Sequence, residues 1–386
     1  MFKYCQYSIG GHVVKNISRK IKKFIKCPSI FFRDYFLKKK PIIRNEIRCS
    51  EEEENILLRH DLELESMIPT NFPIDVVYTW VNNKDSCWKQ KMENNKNDEI
   101  SYAAYATDEA RFSNHDELYY SVISVLENMP WVRKIFIVTD KQIPLWYEGN
   151  ETSNIIIVDH KDIISTEYLP TFNSHVIEAN LHKIENLSEH FIYFNDDVFV
   201  GRPLLPSHFF GRNGISSLFI AHKSLSVMRS RGAITPTLSA SFNSKKILKE
   251  FGLDVDNPLV HTYVPLHKST YEYLWSNYNE QIESFLGNKF RAEDDLNLAT
   301  FLVPWMSYCL GKAYPKRDIC YYFNVRSPSA ADFYKTIKKA SETKTMPHSF
   351  CANDFNSVEN KKINNYEKRL QHMLSTHFSE DNRNIS

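Results

Sequence analysis

Residues 169–200 read LPTFNSHVIEANLHKIENLSEHFIYFNDDVFV. Ile177, Leu181, Ile184 and Leu187 recur at helical spacing and predict a helix over 174–187 with one apolar stripe. Glu178, His182 and Glu185 fall at i, i+4 and i+7 and share another face of that helix. A strand at 191–194 follows and runs into Asn195-Asp196-Asp197 before Val198-Phe199-Val200 continues. Two adjacent carboxylates within an apolar strand conflict with burial, because an unpaired buried charge is costly, so the pair should face a cation or a cleft. The C-terminal end of a strand is also where open α/β sheets place ligands. The plain alternative has one Asp capping the next turn and the other solvated.

Working outward, the same alternation recurs. A strand at 74–80 in PIDVVYTWVNNKDSCW (73–88) ends in an Asn/Asp-rich turn. In RFSNHDELYYSVISVLENMPWVRKIFIVTD (111–140), Leu118, Val122, Val125, Leu126 and Met129 predict a helix over 115–129, with Ser113 and Asp116 as a capping pair. A strand at 134–139 follows, and another lies at 154–158. Short apolar strands alternating with helices predict an α/β fold with a mainly parallel sheet covered on both faces, a Rossmann-like architecture. Neither GxGxxG nor GxxxxGK[ST] is present, which speaks against a dinucleotide oxidoreductase or a P-loop kinase.

The formal charge of +1 hides an asymmetry: residues 1–50 hold 13 Lys and Arg against 2 Asp and Glu, leaving 35 against 45 in the rest. A basic arm (1–45) therefore precedes an acidic linker (46–70) and an acidic body. In the arm, Lys and Arg interleave with Ile17, Ile21, Phe24, Ile25, Phe31, Phe32 and Phe36, the pattern of a segment lying on an anionic membrane surface. Packing of the arm on the acidic body is the alternative; no nucleic-acid-binding motif accompanies the charge. No apolar run reaches the ~18 residues of a membrane span. Seven scattered cysteines without a CxxC pair predict reduced thiols in the cytoplasm.

The stretch 169–199 resembles the second conserved region of the Stealth family, which contains bacterial capsular polysaccharide polymerases that transfer a hexose-1-phosphate. It also contains the catalytic subunit of the animal enzyme that places N-acetylglucosamine-1-phosphate on lysosomal mannoses. Residues 111–140 continue that region, and IDVVYTWV with its polar turn is similar to the first, matching at Asp75, Asn82, Asp85 and Trp88. Residues 257–301, with His261 and FRAEDDLNLATFL, resemble the third, and Phe350-Cys-Ala-Asn-Asp354 the fourth. Two departures stand out: Ile123 replaces an Arg usual in relatives, and Tyr263 a usual Pro.

The resemblance implies a nucleotide-sugar-transferase (GT-A-like) fold over 71–355, with a C-terminal helix in 356–386. The implied reaction is transfer of a (N-acetyl)hexose-1-phosphate from a UDP-sugar to a hydroxyl of an oligo- or polysaccharide acceptor, releasing UMP. Asp196 and Asp197 would then hold Mg²⁺ (or Mn²⁺) across the diphosphate. Arg291 would clamp phosphoryl oxygens, and His261 would take the acceptor proton. Glu178 and His182 are further candidates for the base or a metal ligand, and Asp294 stands beside Arg291 at an expected helix start. Asp75, Asn82, Asp85, Arg111, Asn173, Ser174 and Asn195 are expected to bind donor. Of Arg229 and Arg231, which could also hold phosphate, a surface role is expected. The competing readings are a metal-dependent glycosyltransferase releasing UDP, a non-catalytic carbohydrate- or membrane-binding protein, and a metal phosphohydrolase.

Overall fold

Strand β-propensity and burial go together in this chain: Ile-Phe-Ile-Val (135–138) is buried throughout, as suits a sheet covered on both faces, while Ile-Ile-Ile-Val (155–158) is half-buried, as suits its edge. A computed structural model describes residues 71–96, 112–147, 149, 154–233, 235–355 and 364–378. N-terminal to these it describes residues 21, 24–26, 28–39, 43–44, 56–57, 59–61, 63–64 and 67. Among them eleven strands form: β1 Ile43–Arg44, β2 Ile74–Thr79, β3 Ile135–Thr139, β4 Ile155–Asp159, β5 His190–Asn195, β6 Val198–Val200, β7 Ser216–Leu218, β8 Val264–His267, β9 Ala313–Pro315, β10 Cys320–Asn324 and β11 Ser349–Asn353.

The central sheet has the order β4-β3-β2-β5-β8. β2 to β5 are mutually parallel, and β8 pairs antiparallel with β5 at the edge. Alternation sends Val77, Phe136, Val138, Phe191 and Tyr193 to one core, with the helices Ser174–Ala179 and Lys268–Asn277. Ile74, Val76, Tyr78, Ile135, Ile137, Ile192 and Phe194 go to the other, against the helix Glu117–Asn128. A second sheet, β1-β10-β11-β6, carries a third core against the helices Ala330–Glu342 and Tyr366–His377. The chain crosses from β5 of the first sheet to β6 of the second within two residues, and those residues are Asp196 and Asp197.

Three local expectations are corrected. The helix expected over 174–187 stops at Ala179 and gives way to a 3₁₀ turn, Leu181–Lys183. Asn180 Nδ2 returns to the Val176 carbonyl at 2.8 Å, a side-chain bond that competes with helix propagation. The stripe is still buried, since Ile177, Leu181, Ile184 and Leu187 all lie in the core. Ser113 and Asp116 do not form a capping pair: Asp116 sits in a left-handed conformation (φ 70°) without a cap bond, and Glu117 instead accepts from His115 N at 2.6 Å. Residues 291–295 are a turn rather than a helix start; Asn297 caps the π-helical turn Leu298–Leu302 that follows. Ile123 packs onto the third core beside Tyr120, so position 123 serves packing.

Candidate active site at the junction of two sheets

Parallel pairing aligns Thr79 of β2 with Asn195 of β5, so both strands deliver their polar C-terminal residues to one edge. Beyond that edge Asp197 is gripped from the second sheet: Asn353 Nδ2 donates to its Oδ2 at 2.8 Å and Cys351 Sγ approaches the same oxygen at 3.3 Å. Its other oxygen, Oδ1, is buried without a hydrogen-bond partner. A ring nitrogen of His261, a carboxylate oxygen of Asp197 and Cys351 Sγ lie within 4.8 Å of one another. Such a set can hold a divalent ion, and the unpartnered Oδ1 is the atom a cation would satisfy. Burial raises the Asp196 carboxyl well above its ordinary range, with the charges of Asp197 and Glu117 adding to it.

His261 precedes β8 and is exposed in the cleft, its ring edge-on to Tyr322 at 5.2 Å. Desolvation by the protein packed around the ring lowers its pKa; Asp197 opposes this, while Lys223 and Arg291 reinforce it. The imidazole is thus neutral at pH 7.

Arg291 is placed by its loop. Nη2 donates to Ser174 Oγ at 2.5 Å and Nη1 to Thr237 Oγ1 at 2.9 Å. The loop itself is fixed by Asp295, fully buried, which accepts from Asn173 Nδ2 (2.9 Å), His175 Nδ1 (2.8 Å) and Ala292 N (3.1 Å). Burial keeps His175 neutral, so its Nδ1–H is the donor in that pair. Glu178 is buried on the same helix, accepts from Tyr193 OH at 3.3 Å and faces the charge of Arg291.

Several expected site residues are otherwise engaged. Asp75 lies at the opposite end of β2, beside Phe191, where it binds Arg133 at 2.6 and 2.9 Å and Ser188 N at 2.7 Å. That ties a buried carboxylate to an exposed arginine at the far end of the sheet and is not a group of the ligand edge. Asn173 caps the helix Ser174–Ala179 through His175 N and spends its amide on Asp295 and Phe290 O. His182 is not beside the Asp pair by helical spacing, because the helix has ended. It stacks on Tyr271 at 5.3 Å, and burial brings its pKa down to about 3. Asp294 is exposed and accepts only from Asn288 Nδ2 at 3.0 Å among the described residues, while the neighbouring Asp295 does the work of holding the loop. Asp85 caps the helix Ser86–Asn94 and, with Asn82, is tied to Gln142 at the ligand edge. Asn195 accepts from Tyr193 OH at 3.1 Å. Arg111 lies outside the described residues.

Glu117, which the sequence did not single out, and Asp354 of the stretch resembling the fourth region stand nearby. Buried Glu117 has its pKa pushed up to about 7 by burial, with the His115 charge opposing. Asp354 collects His115 Nε2 (3.2 Å), Arg326 and Tyr366 OH (3.3 Å), so the C-terminal helix buttresses the site. A second His/Asp group, His208, Asp318 and His348, is fully buried behind β10 and β11. Asp318 accepts from His208 (2.9 Å) and Tyr263 OH (2.9 Å), while Nδ1 of His348, 3.0 Å from it, takes the amide hydrogen of Ile319. With that lone pair engaged, the cluster is a hydrogen-bonded brace rather than an open coordination site.

Sequence models of two conserved regions of the Stealth proteins match this chain, region 1 over residues 72–99 and region 2 over 111–218. The chain is 56% identical over 365 residues to the capsular polysaccharide phosphotransferase LcbA of Aeromonas hydrophila, covering 94% of this chain and 100% of that one. The LcbA of Neisseria meningitidis is 52% identical, with 93% and 99% covered. The chain belongs to the Stealth family. It is an enzyme of that family, and region 2 supplies Ser174, Glu178, Asp196 and Asp197 to the site just described. Among solved structures, the galactosyltransferase LgtC with donor and acceptor sugar analogues matches this Stealth chain with a TM-score of 0.37 and 13% identity, covering 81% of this chain and 100% of that one. A likeness so slight says nothing about activity.

Proposed function

We propose that this Stealth enzyme moves a (N-acetyl)hexose-1-phosphate from a UDP-sugar to a hydroxyl of a growing capsular or exopolysaccharide, forming a phosphodiester and releasing UMP. The family supports the reaction class; the observation that carries the site is Asp197, whose buried, unpartnered Oδ1 shares a cluster with His261 at the strand edge.

In this reading the acceptor oxygen forms a bond to the phosphorus that bears the sugar. The bond from that phosphorus to UMP breaks, and its electron pair leaves with the nucleotide. Neutral His261 takes the proton of the acceptor hydroxyl. Arg291, held at two nitrogens by Ser174 and Thr237, presents its remaining donors to phosphoryl oxygens, and Glu178 balances its charge. A divalent cation, Mg²⁺ or Mn²⁺, bound by Asp196 and Asp197 would neutralise the diphosphate. An imidazole within reach of the same position fits Mn²⁺ better than a purely oxygen-liganded ion. Asn82, Asp85 and Asn195 line the edge where the nucleotide is received, whereas Asp75 and Asn173 are committed to Arg133, Ser188 N, Asp295 and Phe290 O.

Residues 71–355 form the catalytic unit in this reading, joined through 46–70 to an arm that rests on the anionic inner face of the cytoplasmic membrane. In the described part of the arm, Phe24, Phe32 and Phe36 are exposed, and no described helix is long and apolar enough to cross a membrane. Sedimentation with anionic vesicles tests this: equal binding by the full chain and a chain lacking residues 1–45 rules out the arm.

Nucleotide release from UDP-N-acetylhexosamine with Mg²⁺ or Mn²⁺ and an oligosaccharide acceptor tests the reaction. Acceptor-dependent UMP is expected. UDP instead identifies a glycosyltransferase, and free sugar phosphate without acceptor a hydrolase.

A further inference from the structure

Of the cations near the Asp pair, Arg291 faces Glu178 and bonds two hydroxyls, and Arg326 pairs with Asp354. Lys223 differs. Among the described residues its side chain makes no hydrogen bond or ion pair; Nζ lies 5.6 Å from the Tyr322 ring, and the ammonium is partly desolvated near Cys320. That ring also carries His261 on its edge, so lysine and histidine flank one aromatic side chain. The shared ring brings the lysine and the histidine to one surface beside Asp197.

The lysine is exposed, yet its backbone is fixed. Asn257 Nδ2 donates to the carbonyls of Ala221 (3.2 Å) and Lys223 (2.9 Å). Ala221 N bonds Pro258 O at 3.0 Å, and Leu225 N bonds Asp256 O at 2.7 Å. Next along the chain, Ser224 caps the helix Leu225–Ser230 through Val227 N at 3.0 Å and bonds the Asp256 carboxylate. The pinned loop holds the lysine stem in one place, so its ammonium is presented to solution beside the Tyr322 ring in a fixed position, ready for an anion that arrives there. Arg229, the other basic candidate of this stretch, lies instead over Phe242 at 5.0 Å.

We propose that Lys223 is a substrate-positioning residue that receives an anionic phosphoryl oxygen beside His261 and the Tyr322 ring. The inference rests on the sugar-phosphate reading for the source of that phosphate, which is either the donor diphosphate or a phosphodiester already present in the acceptor polymer. A lysine suits the task as a mobile point charge that can follow the phosphoryl group, where the fork of Arg291 fixes it.

The test uses the full chain as wild type, Lys223→Met and Lys223→Arg, each checked for an unchanged melting temperature. Calorimetric binding of inorganic pyrophosphate, UMP, UDP and a phosphodiester-linked oligosaccharide is measured alongside steady-state KM and kcat. Lys223→Met is expected to weaken at least one phosphate-bearing probe about tenfold, with Lys223→Arg near wild type. Weakened UDP and pyrophosphate with a raised donor KM assign the donor diphosphate; a weakened oligosaccharide with a raised acceptor KM assigns the polymer. Unchanged binding of all four probes to Lys223→Met overturns the proposal. If the wild type releases no UMP while pyrophosphate binding still depends on Lys223, the reaction reading fails and the anion site stands.

Discussion

Asn353 Nδ2 donates to Asp197 Oδ2 at 2.8 Å, tying the last strand of the second sheet to the two-residue crossing that joins it to the first. The amide satisfies one oxygen of the carboxylate and leaves the buried Oδ1 without a partner, the arrangement by which outer hydrogen bonds orient a ligand. Asn353→Ala should lower activity about 10- to 100-fold and raise the Mn²⁺ concentration needed for half-maximal rate. A metal titration of the variant checks this; a lowered rate with an unchanged metal requirement would remove the orienting role.

His261 stands close enough to Asp197 to serve as either base or ligand. As the base, His261→Ala should lose about 10²- to 10⁴-fold in kcat at every metal concentration. Recovery of the rate at high Mn²⁺ would reassign it as a ligand.

Arg291 bridges Ser174 and Thr237 with two nitrogens. A lysine has one ammonium and cannot make both contacts while also reaching phosphate. Arg291→Lys should therefore cost about 1.5–3 kcal/mol of transition-state stabilisation, the range for a charge-assisted hydrogen bond, read as a fall in kcat/KM. Full activity in this variant would make the guanidinium fork irrelevant.

Asp75 is buried and holds Arg133 and Ser188 N at the sheet's far end. Arg133 is exposed and can turn to water, so the cost of Asp75→Ala is that of orphaning the buried Ser188 N–H, about 1–3 kcal/mol. The folded fraction should keep wild-type donor KM. Denaturant unfolding with kinetics on the same preparation separates the two; a raised KM at unchanged stability would restore Asp75 to the donor site.

Stability should fall in mild acid. Burial lowers His160 and His348 to about 4 and His182 to about 3, all below the ordinary 6.5, so the folded state binds fewer protons than the unfolded one. The stability this represents is present above pH 6.5 and is lost as pH falls toward 4, at about 1.4 kcal/mol per pH unit for each histidine held neutral. Glu117 runs the other way, since its raised pKa of about 7 contributes stability below 4.5 that is lost as pH rises through 7. Urea unfolding at pH 7.5, 6 and 5 measures the net slope; a flat profile would show that these imidazoles are not kept neutral.

The sheet was legible because its signal is local: alternating and continuous apolar runs at 74–79, 135–139, 155–159 and 190–195 carry it residue by residue. Asp196 and Asp197 drew notice for a related reason, being carboxylates where an apolar strand leaves no place for them, whereas Glu178 stood on a polar helix face with nothing to set it apart. The break at Ala179 was not, because it depends on one amide choosing a backbone carbonyl over solvent. Asp294 was preferred to Asp295 since nothing in the run Glu-Asp-Asp says which carboxylate turns inward. Asp75 misled because its partner Arg133 sits in another strand's approach, a pairing visible only once β2 and β3 are side by side. Lys223 lies in a stretch without periodicity, and its interest comes from partners it lacks, which no sequence pattern records.

The passage of the chain from one sheet to the other through Asp196 and Asp197 has a consequence for biosynthesis. Asp197 is made early, but Cys351, Asn353 and the Asp354 clasp with Tyr366 emerge from the ribosome far later. The hydrogen bonds around Asp197 and Asp354 are therefore complete only when the last tenth of the described chain has been made, so the carboxylate at the crossing waits on its C-terminal partners.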